Sequence, residues 1–227
     1  MATYVLSDVH GEQDRFQKML EEIRFSDGDT LYILGDVIDR GPDGVALLRQ
    51  IMDTPNMELL LGNHEYMCLR YHSPQATPED IRRWGINGNQ PTLEALDRLR
   101  PKQRDEILFY LETLPTHKRI TVAGVTYHLV HGFPGMTTHQ EVWGRPEADT
   151  PSPYTNCRVI VGHTPVLLLG RDNREQERYA MELYRRGDHL RISHQPGFID
   201  LDCGCGHRVP IRALGCLRLD DMAEFYT

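Results

Sequence analysis

Leu31-Tyr32-Ile33-Leu34-Gly35-Asp36-Val37-Ile38-Asp39-Arg40-Gly41-Pro42 is the stretch on which the reading of this chain turns. Its four leading apolar residues read as a buried strand that delivers two carboxylates and an arginine into a glycine-bounded turn. Open α/β sheets place their ligands there, in the crevice at the carboxyl ends of the strands. The pattern repeats on either side. Upstream, Tyr4-Val5-Leu6 ends at Ser7-Asp8-Val9-His10-Gly11, and Phe16, Leu20 and Ile23 follow at helical spacing before the turn signal Asp27-Gly28-Asp29. Downstream, Val45, Leu48 and Met52 share one helix face, and the run from Met57 to Leu61 stops at Gly62-Asn63-His64-Glu65. Successive units of strand, loop and helix predict a layered α/β fold.

From Glu65 to about Leu114 the signals are helical: Ile107, Tyr110, Leu111 and Leu114 share a face, and Pro78 and Pro101 sit where first-turn prolines are tolerated. This segment reads as a helical insert beside the sheet. Beyond it the character is β. Arg119 to Val122, the turn Ala123-Gly124 and Val125 to Val130 form a hairpin signal that ends at His131-Gly132, and Arg158 to Val161 stops at Gly162-His163-Thr164-Pro165. Phe198 to Leu201 and Ile211 to Leu219 supply further strand signals. Arg171 to Gly187 is open between a helix and a long hairpin.

The 227 residues are 40% hydrophobic with a net charge of −8, which fits one domain spanning residues 1–227. Acids outnumber bases 33 to 25, so nucleic acid is not expected as a partner and an anionic substrate must be attracted locally. Five cysteines without CxxC spacing argue against a disulfide framework and suit a reducing compartment, and Cys203-Gly204-Cys205 reads as strand and turn. No apolar run approaches the ~18 residues of a membrane span, and the first residues lack the charged and apolar regions of a signal peptide. A cytoplasmic protein without membrane contact is the expectation; the oligomeric state is open.

Asp8, His10, Asp36, Asn63, His131 and His163 are six oxygen or nitrogen donors, each just past an apolar run and converging on one sheet edge. Alone, each has a plainer reading: a solvated turn, a satisfied strand-end histidine, a side chain bonding its own turn, or, for Asp39 with Arg40, a surface ion pair. Together they read as a metal site. Asp36 has two oxygens and can bridge two cations, leaving Asp8 and His10 for one and Asn63, His131 and His163 for the other. Imidazole with oxygen donors and no thiolate points to Mn, Fe, Zn or Co rather than Mg or Ca. Two cations ~3.5–4 Å apart can acidify a shared water and neutralise the anion it attacks. His72, His117, His128, His139, His189, His194 and His207 have no such context and receive no role.

Asp8-Val9-His10-Gly11, Gly35-Asp36-Val37-Ile38-Asp39-Arg40-Gly41, Gly62-Asn63-His64-Glu65, His131-Gly132 and Gly162-His163-Thr164 resemble the five motifs of the calcineurin-like metallophosphatases. The likeness is to the phosphoprotein phosphatase branch with its bacterial and phage members, and Ile199 to Gly204 is similar to the family's closing strand. The resemblance implies a four-layer α/β/β/α sandwich and a dinuclear centre loaded with Mn or with Fe and Zn. It also implies phosphomonoester hydrolysis without a phosphoenzyme, and the same ligand division. It implies that Arg40 grips phosphoryl oxygens and that Arg145, in Trp143-Gly144-Arg145-Pro146, is a second phosphate-binding arginine, a task suited to its planar fork. His64 would protonate the leaving oxygen, with Asp39 orienting it. Many members carry Arg before Gly-Asn-His-Glu, whereas this chain has Leu61 and lacks that positive contact. A phosphoprotein phosphatase is the expectation; the alternative is a dinucleoside polyphosphate hydrolase, a neighbouring branch whose members tolerate an apolar residue there. A non-enzymatic scaffold is disfavoured by retention of all six donors with His64, Asp39 and Arg40.

Overall fold

A computed structural model describes residues 1–227. The three early apolar runs become parallel strands: β1 (Thr3–Leu6), β2 (Thr30–Ile33) and β3 (Met57–Leu59), with Thr3 opposite Thr30 and Leu31 opposite Met57. Helices α1 (Gln13–Glu22) and α2 (Gly44–Asp53) connect them. Alternate side chains on these strands serve different cores. Tyr4, Leu6, Leu31 and Ile33 pack with Phe16, Met19, Leu48 and Ile51 of the helices. Val5, Tyr32 and Leu34 pack instead with Leu129, Val159 and Val161 of a second sheet. Because both faces are covered, the strands read as continuous apolar runs rather than as alternating ones.

The insert is α3 (Asn63–His72), α4 (Pro78–Ile86), α5 (Gln90–Asp97) and α6 (Pro101–Thr113). Pro78 and Pro101 do occupy first turns, where the missing N–H costs nothing. The hairpin of β4 (His117–Val122) and β5 (Val125–Val130) turns at Ala123 and Gly124, with φ of +47° and +80°, the two left-handed residues that match a right-twisted ribbon. After α7 (Thr138–Trp143) come β6 (Arg158–Val161) and α8 (Asn173–Arg186), then β7 (Ser193–His194) and β8 (Ile199–Asp200), and the chain closes with β9 (Gly215–Arg218) and β10 (Ala223–Tyr226). The second sheet runs β4-β5-β6-β8-β7, with β5, β6 and β8 parallel; the first runs β10-β9-β1-β2-β3. Two mixed sheets, face to face and flanked by helices, give the expected α/β sandwich.

Two segments sharpen the sequence reading. Arg171 to Gly187 resolves as α8, capped by Asp172 accepting from Glu175 N–H and ended by Gly187 at φ +64°. The predicted strand from Ile211 shortens to Gly215–Arg218, because Arg212 N–H bonds Val209 C=O in a turn that delays pairing. No helix is long and apolar enough to cross a membrane.

Candidate active site

The loops leaving β1, β2 and β3 meet those leaving β5 and β6 at one edge of the two sheets. The approach is close: a Cβ on Gly162 would lie 2.1 Å from Ser7 Oγ and 2.4 Å from Asp8 Oδ2, so only glycine lets the second sheet's loop reach the first. His163 N–H then donates to Asp8 Oδ2 at 3.0 Å across that seam. Asp36 stands at the centre, 2% exposed, with its oxygens facing different neighbours. Oδ2 lies 3.5 Å from His10 Nε2, and Oδ1 lies 3.3 Å from His131 Nε2. Asn63 Oδ1 is 2.9 Å from His131 Nε2, and the His131 and His163 rings are 5.0 Å apart. All six predicted donors therefore come together, all buried.

The surroundings fix how these groups present themselves. His10 Nδ1 lies 3.0 Å from Ile38 C=O and His131 Nδ1 lies 2.7 Å from Leu34 C=O. A carbonyl can only accept, so both rings carry their proton on Nδ1 and turn a bare Nε2 lone pair inward, the arrangement that backbone acceptors impose on metal-ligating histidines. Burial lowers His131 and holds His10 and His163 well below the usual histidine range, which favours the neutral form that ligates. His163 Nε2 is buried without a protein partner. Burial, with Asp8 and Glu65 nearby, pushes Asp36 well above the usual carboxylate range, and the Arg40 charge offsets only part of that shift. His131 Nε2 and Asn63 Oδ1 set two acceptors against each other. Lone pairs converging on a partly compensated carboxylate fit a pair of cations, and the donor chemistry suits the transition metals named above.

Beside this cluster, His64 Nδ1–H donates to Asp39 Oδ2 at 2.6 Å, and Arg40 Nη2 donates to His64 Nε2 at 3.2 Å. Asp39 is fully buried, and burial, partly offset by hydrogen bonds from Thr92 and Trp84 and by the Arg40 charge, pushes it up to about 7. It is no surface ion pair with Arg40; its partner is the imidazole. Burial and the Arg40 charge hold His64 well below the usual histidine range. Arg145 faces the same cleft, with Nη1 3.5 Å from His163 C=O.

With this geometry in hand, comparison with known proteins places the chain. The family model of the calcineurin-like phosphoesterases matches residues 1–196. The chain belongs to that family. Among curated relatives it is similar to the symmetrical bis(5'-nucleosyl)-tetraphosphatase of Acidovorax sp. strain JS42, with 35% identity over 133 residues, 58% of this chain. The matched stretch spans 43% of that relative's length. Among solved structures, a putative diadenosine tetraphosphatase superposes with TM-score 0.62 at 17% identity, covering 99% of this chain and 92% of the other. A cold-active protein-tyrosine phosphatase from a psychrophilic Shewanella superposes with TM-score 0.53 at 16% identity, covering 99% and 79%. At those identities the structures attest the shared fold.

The calcineurin-like phosphoesterase motifs do not account for every residue in the cleft. His207, left without a role by sequence, has Nε2 3.3 Å from Arg40 Nη1 and lines the cleft with Asp202. Asp200 and Asp202 are buried, and burial with neighbouring carboxylates pushes both well above the usual range. The Ile199–Gly204 segment was the available signal for those two; no signal marked His207, which is 167 residues from Arg40. His117 and His128 also need correction. His117 Nδ1 pairs with Glu141 of α7 at 2.9 Å, and the two rings stack 5.0 Å apart. Arg119 Nε–H donates to His128 Nδ1 at 3.2 Å. This cluster fastens α7, and with it the approach to Arg145, onto the β4–β5 hairpin.

Proposed function

We propose that the chain is a dinuclear-metal-dependent hydrolase of phosphoric esters and anhydrides, with a dinucleoside polyphosphate as its natural substrate. The observation that carries the chemistry is the convergence of six buried donors on one cleft edged by Arg40 and Arg145. Asp8, His10 and Asp36 would hold one cation, and Asp36, Asn63, His131 and His163 the other, with manganese the first expectation and iron or zinc the next. Such a pair, when bound, lowers the pKa of water held between the cations and neutralises phosphoryl charge.

The chain's own residues supply the rest. The Arg40 and Arg145 guanidinium groups bind non-bridging phosphoryl oxygens, contacts that strengthen as charge develops. His64 exchanges a proton at Nε2. In the resting geometry that nitrogen accepts from Arg40. Once Nε2 has taken up a proton from solvent water it accepts no longer, so Arg40 Nη2 turns to the phosphoryl group while Nε2–H faces the leaving oxygen and passes that proton to it. Asp39, bonded at Nδ1, stabilises the imidazolium that forms.

The nucleotide reading draws on the matched curated relatives, which are symmetrical bis(5'-nucleosyl)-tetraphosphatases, and on Leu61, which removes a positive contact expected of the phosphoprotein branch. The phosphoprotein reading is the arm against which it is tested. The manganese-loaded protein is incubated separately with diadenosine tetraphosphate and with a phosphoserine peptide, and products are separated by ion-exchange chromatography. The expected result is ADP as the sole nucleotide product, with slow or no release of phosphate from the peptide. Rapid peptide dephosphorylation with the nucleotide intact would overturn the substrate assignment.

A further inference from the structure

We propose that the helical insert belongs to the catalytic apparatus: Trp84 and Thr92 are positioning residues that fix Asp39 and, through it, the proton-exchanging ring of His64. The proposal rests on the reading of His64 given above and names residues that no phosphoesterase motif in this chain includes.

Besides His64, two contacts hold the Asp39 side chain and a third holds its backbone. Trp84 Nε1–H donates to Oδ2 at 2.7 Å, sharing that oxygen with His64 Nδ1–H. Thr92 Oγ1–H donates to Oδ1 at 2.6 Å. The same Oγ1 accepts Asp39 N–H at 2.9 Å, so one hydroxyl ties the backbone and the carboxylate of Asp39 together. Both oxygens are pinned and the carboxylate cannot rotate. A carboxylate so fixed holds the imidazole in one tautomer and one orientation, and a loosely held one would let the ring turn away from the leaving oxygen.

The backbone supports the same reading independently. Asp39 and Arg40 have φ of +71° and +64°, two successive left-handed residues. L-residues leave that region unless the surroundings over-determine it, and such strain gathers at functional sites. The insert supplies the constraint: Arg40 N–H donates to Gly88 C=O at 2.9 Å. Gly88 is itself at φ +90°, and a Cβ there would meet Arg40 Cγ at 3.2 Å. The linker between α4 and α5 thus grips the backbone, while a residue of each of those helices grips the side chain. A core role alone would explain the burial of Trp84 and its ring contact with Tyr71 at 4.9 Å, but not why its only N–H is spent on the carboxylate that bonds His64.

Packing and positioning separate by leaving group. Loss of proton delivery matters more for phenyl phosphate, whose phenolate leaves poorly, than for p-nitrophenyl phosphate, whose anion leaves almost unaided. Trp84→Phe, Thr92→Val, Thr92→Ser and His64→Asn are compared with the parent in single-turnover reactions at verified metal content. Thr92→Val keeps the shape of the side chain and serves if Trp84→Phe does not fold. The expected result is a loss on phenyl phosphate about tenfold greater than on p-nitrophenyl phosphate for Trp84→Phe and Thr92→Val, the scale of one hydrogen bond to a charged group. Thr92→Ser should recover most of it. Even losses on both substrates in the insert variants, while His64→Asn discriminates between them, would overturn the positioning role. Even losses in His64→Asn itself would overturn the proton-exchange reading and this proposal with it.

Discussion

The two halves of the loop between β2 and α2 are held by different parts of the molecule. Gly35 to Ile38, the half with the central carboxylate Asp36, is fastened by Glu65, the third residue of α3. Its buried carboxylate accepts the N–H groups of Asp36 and Val37 at 2.8 Å, Gly62 at 3.2 Å and Ile38 at 3.3 Å. Asp39 and Arg40, the half proposed to meet substrate and proton, are fastened by the insert through Trp84, Gly88 and Thr92. The half with the proposed metal ligand is thus secured by neighbouring strand-turn-helix units, and the half proposed to handle the proton by a separate attachment. The two should fail differently when disturbed.

Glu65→Ala should have the largest effect. Four buried N–H groups would lose their acceptor, each at a cost of about 1–3 kcal/mol, so the destabilisation should exceed about 4 kcal/mol. For a chain of this size that lowers Tm by roughly 10 °C or more. Differential scanning calorimetry would detect it, metal content should fall in parallel, and an unchanged Tm would remove Glu65 from its anchoring place. On the other half, Arg40→Ala should leave metal content intact yet reduce kcat/KM on p-nitrophenyl phosphate by at least about tenfold, the loss of one charge-assisted contact. Arg145→Ala should do the same; if it is as active as the parent, the second phosphate contact lies elsewhere.

The smallest effect lies outside the loop and serves as its control. Burial, with His117 and Arg119 beside it, lowers the His128 pKa to about 4. An unfolded histidine takes up its proton near pH ~6.5. Between those values the unfolded state binds more protons, so the contribution of neutral His128 is present above the unfolded pKa and is lost as pH falls toward 4. Urea midpoints at pH 7 and pH 5 should therefore differ more for the parent than for His128→Gln. Equal pH responses would contradict the assignment.

The convergence of the donors is legible because each stands directly after an apolar run, so sequence order alone carries Asp8, His10, Asp36, Asn63, His131 and His163 to one edge. The layering followed from the same runs. Nothing comparable marked the other attachment. Trp84 and Thr92 lie 45 and 53 residues from Asp39, and neither helical periodicity nor turn chemistry reveals which polar group a helix in the insert will aim at a distant loop. His207 escaped for the same reason, on a loop between strands that meets Arg40 only in the folded chain. Segment α8 was ambiguous because Leu183 is its only buried residue, which leaves almost no apolar stripe to read.

The central claim, that Asp36 joins one cation site built from the first sheet to a second built from both sheets, is tested most directly by elemental analysis of the purified protein beside three variants. The parent should retain two equivalents of metal. His10→Ala should lose mainly the equivalent shared with Asp8, and His163→Ala mainly the one shared with Asn63 and His131. Asp36→Asn, with the bridge removed, should lose both. Two full equivalents retained in folded Asp36→Asn would contradict the bridging role and the shared centre built on it.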